Sequence, residues 1–375
     1  MKKLLFLTND MNLQLGGQGL SNIIILDYLK KDFDIKILNQ QFFKGTSNYR
    51  EVQVDYNVDF QKSFLVGFLR LKETFKERER EKFDLIIISA NPFSTLVHLF
   101  LIELFGFFRK TNKIHFCRID PISSIFTASR IPFILFPLGF LLYRRLDKIV
   151  VQNPQMGDTF EKYYGVDRSK IVLIPNPLRP DYKRLLSDKE KPKIKARKPW
   201  ITTITRLETK QKDPETLIKA FGLVKEKEKQ ASLIICGTGD ERGKLLDLIE
   251  KLGLSNDVHF LGFVKNPFKI LKKSDVFVLS SKAEGFGKVM VEAQVARVPV
   301  VATDCPVGPK WALGNGKAGT LVKVGDENEM ASAILNILND RKRREKYIKN
   351  GLKLVVRHYP EKFYNSLDSL VSPFQ

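Results

Sequence analysis

Short apolar runs of strand length, each separated from the next by a longer segment of helical spacing, recur along this chain. The first series reads LLFL (4–7), IKIL (35–38), LIIIS (85–89), KIHFC (113–117), KIVVQ (148–152) and KIVLIP (170–175). Among the intervening segments, 20–31, 96–108 and 156–164 are apolar-periodic. A strand that is apolar throughout must be covered on both faces, and two parallel strands need a crossover of a dozen residues or more, which a helix supplies. The pattern predicts a doubly wound parallel sheet.

The same pattern then starts again. WITTITR (200–206), SLIICG (232–237), VHFLGF (258–263), VFVLSS (276–281), VPVVAT (298–303) and AGTLVK (318–323) alternate with helical segments at 216–225, 242–252 and 289–296. Between the two series, from 176 to 198, Pro and Lys replace long apolar runs, which is linker composition. The expected α/β organisation is two Rossmann-like doubly wound domains facing a cleft: 1–180, a linker at 181–198, then 199–357. A last helix at 358–375 is expected to pack back toward the first domain. Ligands of such sheets bind beyond the carboxyl ends of the strands, so the active site is expected in that cleft.

A chain of 375 residues is long enough for two such cores, and 43% hydrophobic with 28% charged residues excludes a disordered or fibrous chain. Cys117, Cys236 and Cys305 are too few and too scattered for a disulfide framework or a zinc site, which fits a reducing compartment. No histidine shows metal-ligand spacing, so no metal is expected. The opening MKKLLFLTND has only four consecutive apolar residues, shorter than a secretory h-region of roughly 7 to 15. The apolar stretches 96–108 and 131–143 fall short of the ~20 residues that span a bilayer. A cytoplasmic protein without a transmembrane helix is expected.

The net charge of +21 favours a polyanionic partner. Up to Lys198 there are 34 basic and 21 acidic residues (+13), and beyond it 29 and 21 (+8). Lys62, Arg70, Lys72, Lys76, Arg78 and Arg80 form a basic run, interleaved with Glu73, Glu77, Glu79 and Glu81, and the apolar 131–143 ends at Arg144 and Arg145. An anionic membrane surface, rather than nucleic acid, is the expected partner, with peripheral docking at the inner face of the cell membrane.

The most informative passage is VFVLSSKAEGFGKVMVEAQVARVPVVATD (276–304). It reads as a strand, a loop from Glu284 to Gly287, a helix carrying Glu292, and a second strand. A loop entering a helix N-terminus offers backbone N–H groups to an anion, and a carboxylate in the first turns can accept hydrogen bonds from vicinal hydroxyls. Both acids could equally serve only the helix dipole. Two glutamates separated by seven residues in EGFGKVMVEA, followed by PVVATD, resemble the signature of family 4 glycosyltransferases of the GT-B fold.

The resemblance is strongest over 201–325 and implies a retaining transfer of a sugar from a nucleotide-sugar donor, UDP- or GDP-linked, with no further cofactor. It implies that Glu284 contacts the donor sugar and Glu292 the nucleotide ribose. Gly285, Phe286, Gly287 and Val289 would line the sugar and diphosphate. In TRLETKQKDPETLIKAF it maps the family's phosphate-binding cations onto Arg206 and Lys212, with Lys210 the weaker candidate. Preorganised cations stabilise a departing diphosphate more than the ground state. Gly16 and Gly17 match the family's paired glycines, Gly237 its Gly-x-Gly loop, and Val264 the main chain that brackets the base. His115, Arg118 and Asp120 are the acceptor-side candidates.

Three positions depart from the family pattern. Arg297 stands where a glycine suited to positive φ is usual, Trp311 replaces a frequent acidic residue, and Thr205 replaces a glycine before the arginine. The expected activity is hexosyl transfer to a lipid-linked or surface-glycan acceptor in cell-envelope glycan synthesis. The alternatives are a nucleotide-sugar epimerase or hydrolase of the same fold, and a non-catalytic polyanion- or membrane-binding protein. Oligomeric state has no sequence signal.

Overall fold

The computed structural model describes residues 1–9, 17–41, 56–59, 64–119, 121–122, 132–190, 192 and 194–374. The chain divides into two units, Met1–Arg179 with Pro360–Gln375, and Pro180–Tyr359.

The strands of the first unit are β1 (Lys2–Thr8), β2 (Phe33–Gln41), β3 (Tyr56–Asp59), β4 (Leu85–Ser89), β5 (Asn112–Phe116), β6 (Lys148–Val151) and β7 (Ile171–Leu173). They form one sheet in the order β3-β2-β1-β4-β5-β6-β7, parallel at every pairing. Each expected apolar run is a strand. β3 is additional, because YNVD is short and half polar and carries no alternating signal. The helices are punctuated as their sequences dictate: Asn91 and Asn153 accept from the N–H groups of Ser94 and Met156, a proline follows each cap, and Gly106 and Gly165 close the helices at φ 71° and 59°. The helix Pro360–Val371 buries Phe363, Leu367 and Val371 in the core that holds Leu4, Phe6 and Ile25. Tyr364 stacks on Tyr28 with centroids 4.3 Å apart.

The second unit contains β8 (Trp200–Ile204), β9 (Ser232–Cys236), β10 (Val258–Gly262), β11 (Val276–Leu279), β12 (Val300–Thr303) and β13 (Gly319–Val322). Their order is β10-β9-β8-β11-β12-β13, again all parallel. The stretch 181–198, which reads as a linker, belongs to this unit. It holds a helix, Tyr182–Ser187; Asn266 Nδ2 donates to Leu185 O at 3.0 Å, and Tyr182 stacks on Tyr359. Its lysines mark exposure, while its carbonyls find donors on other elements, so composition concealed the packing. Arg297 adopts φ 62°, the left-handed conformation for which glycine is usual.

In both sheets the strand order reverses once, between β1 and β4 in the first and between β8 and β11 in the second. At such a point neighbouring crossovers leave on opposite faces, which opens a crevice at the carboxyl ends of the two strands.

Candidate active site

The reversal between β8 and β11 brings two sequence-distant loops together. After β8 the backbone of Thr205 to Leu207 lies directly on the loop after β9: Thr205 N donates to Cys236 O at 2.8 Å and Leu207 N to Thr238 O at 3.0 Å. A Cβ on Gly237 would stand 1.7 Å from Thr205 O, and one on Gly239 2.4 Å from Leu207 O. These glycines are therefore required by backbone contact, and that contact fixes where Arg206 leaves the sheet.

The following loop, 208–213, is stitched to the loop after β11. Lys282 N donates to Gln211 O at 2.8 Å, Gln211 Nε2 to Ala283 O at 3.2 Å, and Ser280 Oγ to Lys212 O at 3.0 Å. This frame aims Lys212 at Glu284. Lys212 Nζ lies 2.6 Å from Glu284 Oε1, with side-chain exposures of 16% and 8%, and Ser281 Oγ donates to the same oxygen at 2.7 Å. Arg206 is more exposed; its Nη2 is 2.9 Å from both Glu208 Oε1 and Gln211 Oε1. Gln211 thus links Arg206 to the glutamate loop. Lys282 adds a third cation, 3.4 Å from Asp213 Oδ2.

Gly287 holds φ 78° where the loop enters the helix Lys288–Val295, and Glu292 sits in the second turn of that helix, 8% exposed. Phe286 does not face outward. It is 3% exposed and packs on Trp311 (5.9 Å) and His358 (4.9 Å). The Arg357 guanidinium lies 3.5 Å from the Trp311 ring centroid and donates to Trp311 O at 2.8 Å. Trp311, the departure from the family's acidic residue, therefore anchors the glutamate loop by packing.

Val307 bridges to Glu284 and is the strained residue of the site. At φ 82°, ψ −61°, with Gly308 N donating to Pro306 O at 3.2 Å, it centres a γ-turn of the rarer hand, a conformation unfavourable for a β-branched residue. Burial and the Glu284 charge push the Cys305 thiol up to about 12, so it is not a ready nucleophile.

Of the expected residues, Arg206, Lys212 and Glu284 are brought together, and Gly237, Gly287, Phe286 and Glu292 stand in the places described. Val264 follows β10 and packs beside Trp200 and Ile234. Gly17 begins the helix Gly17–Leu29, whereas Gly16 and Asp120 lie outside the described residues. His115 is enclosed: its Nδ1 is 3.0 Å from Ile88 O, Tyr143 stacks on the ring, and burial holds its pKa down to about 4. Such a ring is neutral and cannot present itself to an acceptor. Gln211, Ser281 and Lys282 are polar loop residues of types that carry no signal of their own in a sequence, and Val307 carries none because its strain lies in the backbone.

Residues 186–354 match the profile of the family described as Glycosyl transferases group 1. An uncharacterized glycosyltransferase of Methanocaldococcus jannaschii is 30% identical over 370 residues, covering 88% of this chain and 90% of that protein. The chain belongs to the group 1 glycosyltransferases. A second relative of this glycosyltransferase is the Campylobacter jejuni N-acetylgalactosamine-N,N'-diacetylbacillosaminyl-diphospho-undecaprenol 4-alpha-N-acetylgalactosaminyltransferase. It is 31% identical over 213 residues, 57% of this chain and 56% of that protein. The structure of HepE of Anabaena in complex with UDP and glucose superposes at TM-score 0.77, covering 100% of both chains at 20% identity. Sucrose-phosphate synthase from Thermosynechococcus elongatus superposes at 0.76, covering 99% of each chain at 18% identity. The glycosyltransferase thus has the GT-B fold, and the Lys212–Glu284 pair falls inside the segment that defines its family.

Proposed function

We propose that this glycosyltransferase moves a hexosyl unit, with retention of anomeric configuration, from a UDP- or GDP-linked sugar to a lipid-linked or surface-glycan acceptor. The observation that carries the reading is the convergence of Lys212, Arg206 and Glu284 at the reversal of the second sheet. The UDP in the HepE structure favours a UDP-sugar, and the diphospho-undecaprenol and 4-alpha linkage in the Campylobacter enzyme's name favour a lipid-linked acceptor and retention from an alpha-linked donor. In this reading the bond between the anomeric carbon and the diphosphate breaks as the acceptor oxygen attacks from the same face. The acceptor's proton passes to the departing phosphate oxygen. Lys212, Arg206 and the backbone N–H groups of 285–287 hold the growing charge, which is the task a metal would otherwise perform. Among the described residues no three His, Cys, Asp or Glu gather as metal ligands.

A donor screen with UDP- and GDP-sugars against polyprenyl-diphosphate-linked sugars tests this. Nucleotide release that requires acceptor supports transfer; release at the same rate without acceptor overturns it in favour of a hydrolase.

The glutamates divide the labour. Glu292→Ala is expected to weaken binding of the free nucleotide diphosphate by roughly tenfold, the worth of a hydrogen bond to a charged acceptor. Glu284→Ala should leave that affinity within about twofold while transfer collapses. Calorimetry on both variants checks the split, and equal losses would refute it.

We further propose peripheral docking on anionic membranes. Among the described residues no helix is long and apolar enough to cross a membrane. The first unit nevertheless exposes Leu69, Leu104, Phe105, Phe140 and Leu141, with Lys72 over the Phe105 ring (4.2 Å) and Arg144 over Phe140 (5.1 Å). Cations flanking exposed apolar side chains suit a lipid headgroup layer, at roughly 1 kcal/mol for each basic residue near the surface. Lys62 of the basic run lies outside the described residues. Co-sedimentation with phosphatidylglycerol vesicles at low salt, lost with phosphatidylcholine or at high salt, is the expected result.

A further inference from the structure

Where the first sheet reverses between β1 and β4, the first unit buries a chain of neutral polar groups. Asn22 Nδ2 donates to Thr8 Oγ1 at 3.0 Å, and Ser89 Oγ to Asn22 Oδ1 at 2.6 Å. Asn176 Nδ2 donates to Gln152 Oε1 at 2.7 Å. The link between these pairs is charged. Arg118, just beyond β5, donates through Nη1 to Asn176 Oδ1 at 2.7 Å and through Nε to Ser89 Oγ at 3.4 Å.

Arg118 is 6% exposed, and its Nη2 makes no hydrogen bond. No carboxylate among the described residues forms an ion pair with it. The Phe116 ring also lies beside it, 5.2 Å from Cζ. Burial holds the guanidinium down to about 10, still charged at neutral pH. A buried charge without a counter-ion is costly, and a neutral side chain of the same length could tie Ser89 to Asn176 without that cost. What a guanidinium adds is a planar edge of N–H donors matched to the paired oxygens of a phosphoryl or carboxylate group. The unused Nη2 belongs to that edge.

We infer that Arg118 binds an oxyanion of the acceptor, a phosphoryl or carboxylate group, at the carboxyl edge of the first sheet. The inference rests on the transferase reading and specifies its acceptor: a sugar or lipid carrier bearing a negatively charged group. Neutral acceptors would leave the guanidinium uncompensated. His115 is kept neutral by burial and adds no second charge beside Arg118.

The test is thermal unfolding of the full chain with UDP at saturation, so that donor-phosphate positions are filled. Inorganic phosphate, glucuronate and glucose are titrated at constant ionic strength. The UDP-induced rise itself reports on the donor reading, so failure of that reading is seen separately. Wild type is expected to gain several degrees, saturably, with phosphate or with glucuronate, and nothing with glucose. A response to phosphate alone identifies a phosphorylated carrier, and to glucuronate alone a uronic acid. Arg118→Met is expected to unfold no lower than wild type in the absence of anion, and to lose at least tenfold in anion affinity. Asn176→Asp supplies the missing counter-charge beside Nη1 and is expected to raise the midpoint while abolishing the anion response. A merely structural arginine predicts the opposite for Arg118→Met, a lower midpoint without anion. That result, an absence of any wild-type response, or an unchanged response in Asn176→Asp would overturn the inference.

Discussion

Replacing Lys212 with alanine is expected to lower the turnover of sugar transfer at least ~100-fold, the scale on which removing one preorganised charge donor acts in a transition state. Removal of Lys212 also bears on folding, because the ammonium is largely buried and pairs with Glu284, whose side chain is 8% exposed. Lys212→Ala would leave a buried carboxylate that keeps its hydrogen bond from Ser281 and loses its counter-ion, which costs about 3 kcal/mol or more. Stability and catalysis must therefore be read separately. The expected outcome is a lower unfolding midpoint for Lys212→Ala, partly restored in Lys212→Ala/Glu284→Ala, with turnover equally poor in both. The two side chains act as a unit, so the double variant should be little slower than either single one. Turnover within tenfold of wild type in folded Lys212→Ala would show that the diphosphate charge is held elsewhere. Arg206, tied to Gln211 and Glu208 at the surface, should show the kinetic loss without the structural one.

That contrast shows where sequence reasoning reaches and where it stops. The strands around both reversals are legible because a parallel strand covered on two faces is an unbroken apolar run, and Leu85–Ser89 or Val276–Leu279 can hardly be anything else. The glutamate pair is legible because the loop and helix containing it are contiguous in sequence. The Lys212–Glu284 contact spans 72 residues and depends on β8 and β11 being neighbours, which no local pattern encodes. Gly237 reads as a ligand-binding glycine, whereas its strict requirement comes from the carbonyl of Thr205. Trp311 reads as a lost acid, and the structure gives it a packing task under Phe286. Arg118 is the extreme case: the sequence marks it as an acceptor-side candidate, and only three dimensions reveal that it is buried with no carboxylate ion-paired to it among the described residues.

Lowering the pH from about 7.5 to about 5 should cost the first unit about 4 kcal/mol through its buried histidines. Two histidines are responsible. His98 is fully buried in the helix Pro92–Phe105, neither ring nitrogen makes a hydrogen bond, and burial holds its pKa down to about 3. His115 is held down to about 4 by the same cause, partly offset by its bond to Ile88 O. In the unfolded chain both titrate near 6.5, so between that value and the folded pKa the unfolded state binds more protons. Stability is therefore full above about pH 6.5 and falls as the pH drops toward the folded values, by about 2 kcal/mol for each histidine at pH 5. Urea denaturation followed at both pH values measures the drop. His98→Leu should roughly halve it and should also raise stability at about pH 7.5, because a ring with two unpartnered nitrogens leaves the core for an apolar side chain. An unchanged pH slope in His98→Leu would mean that the buried rings are not what limits the protein in mild acid.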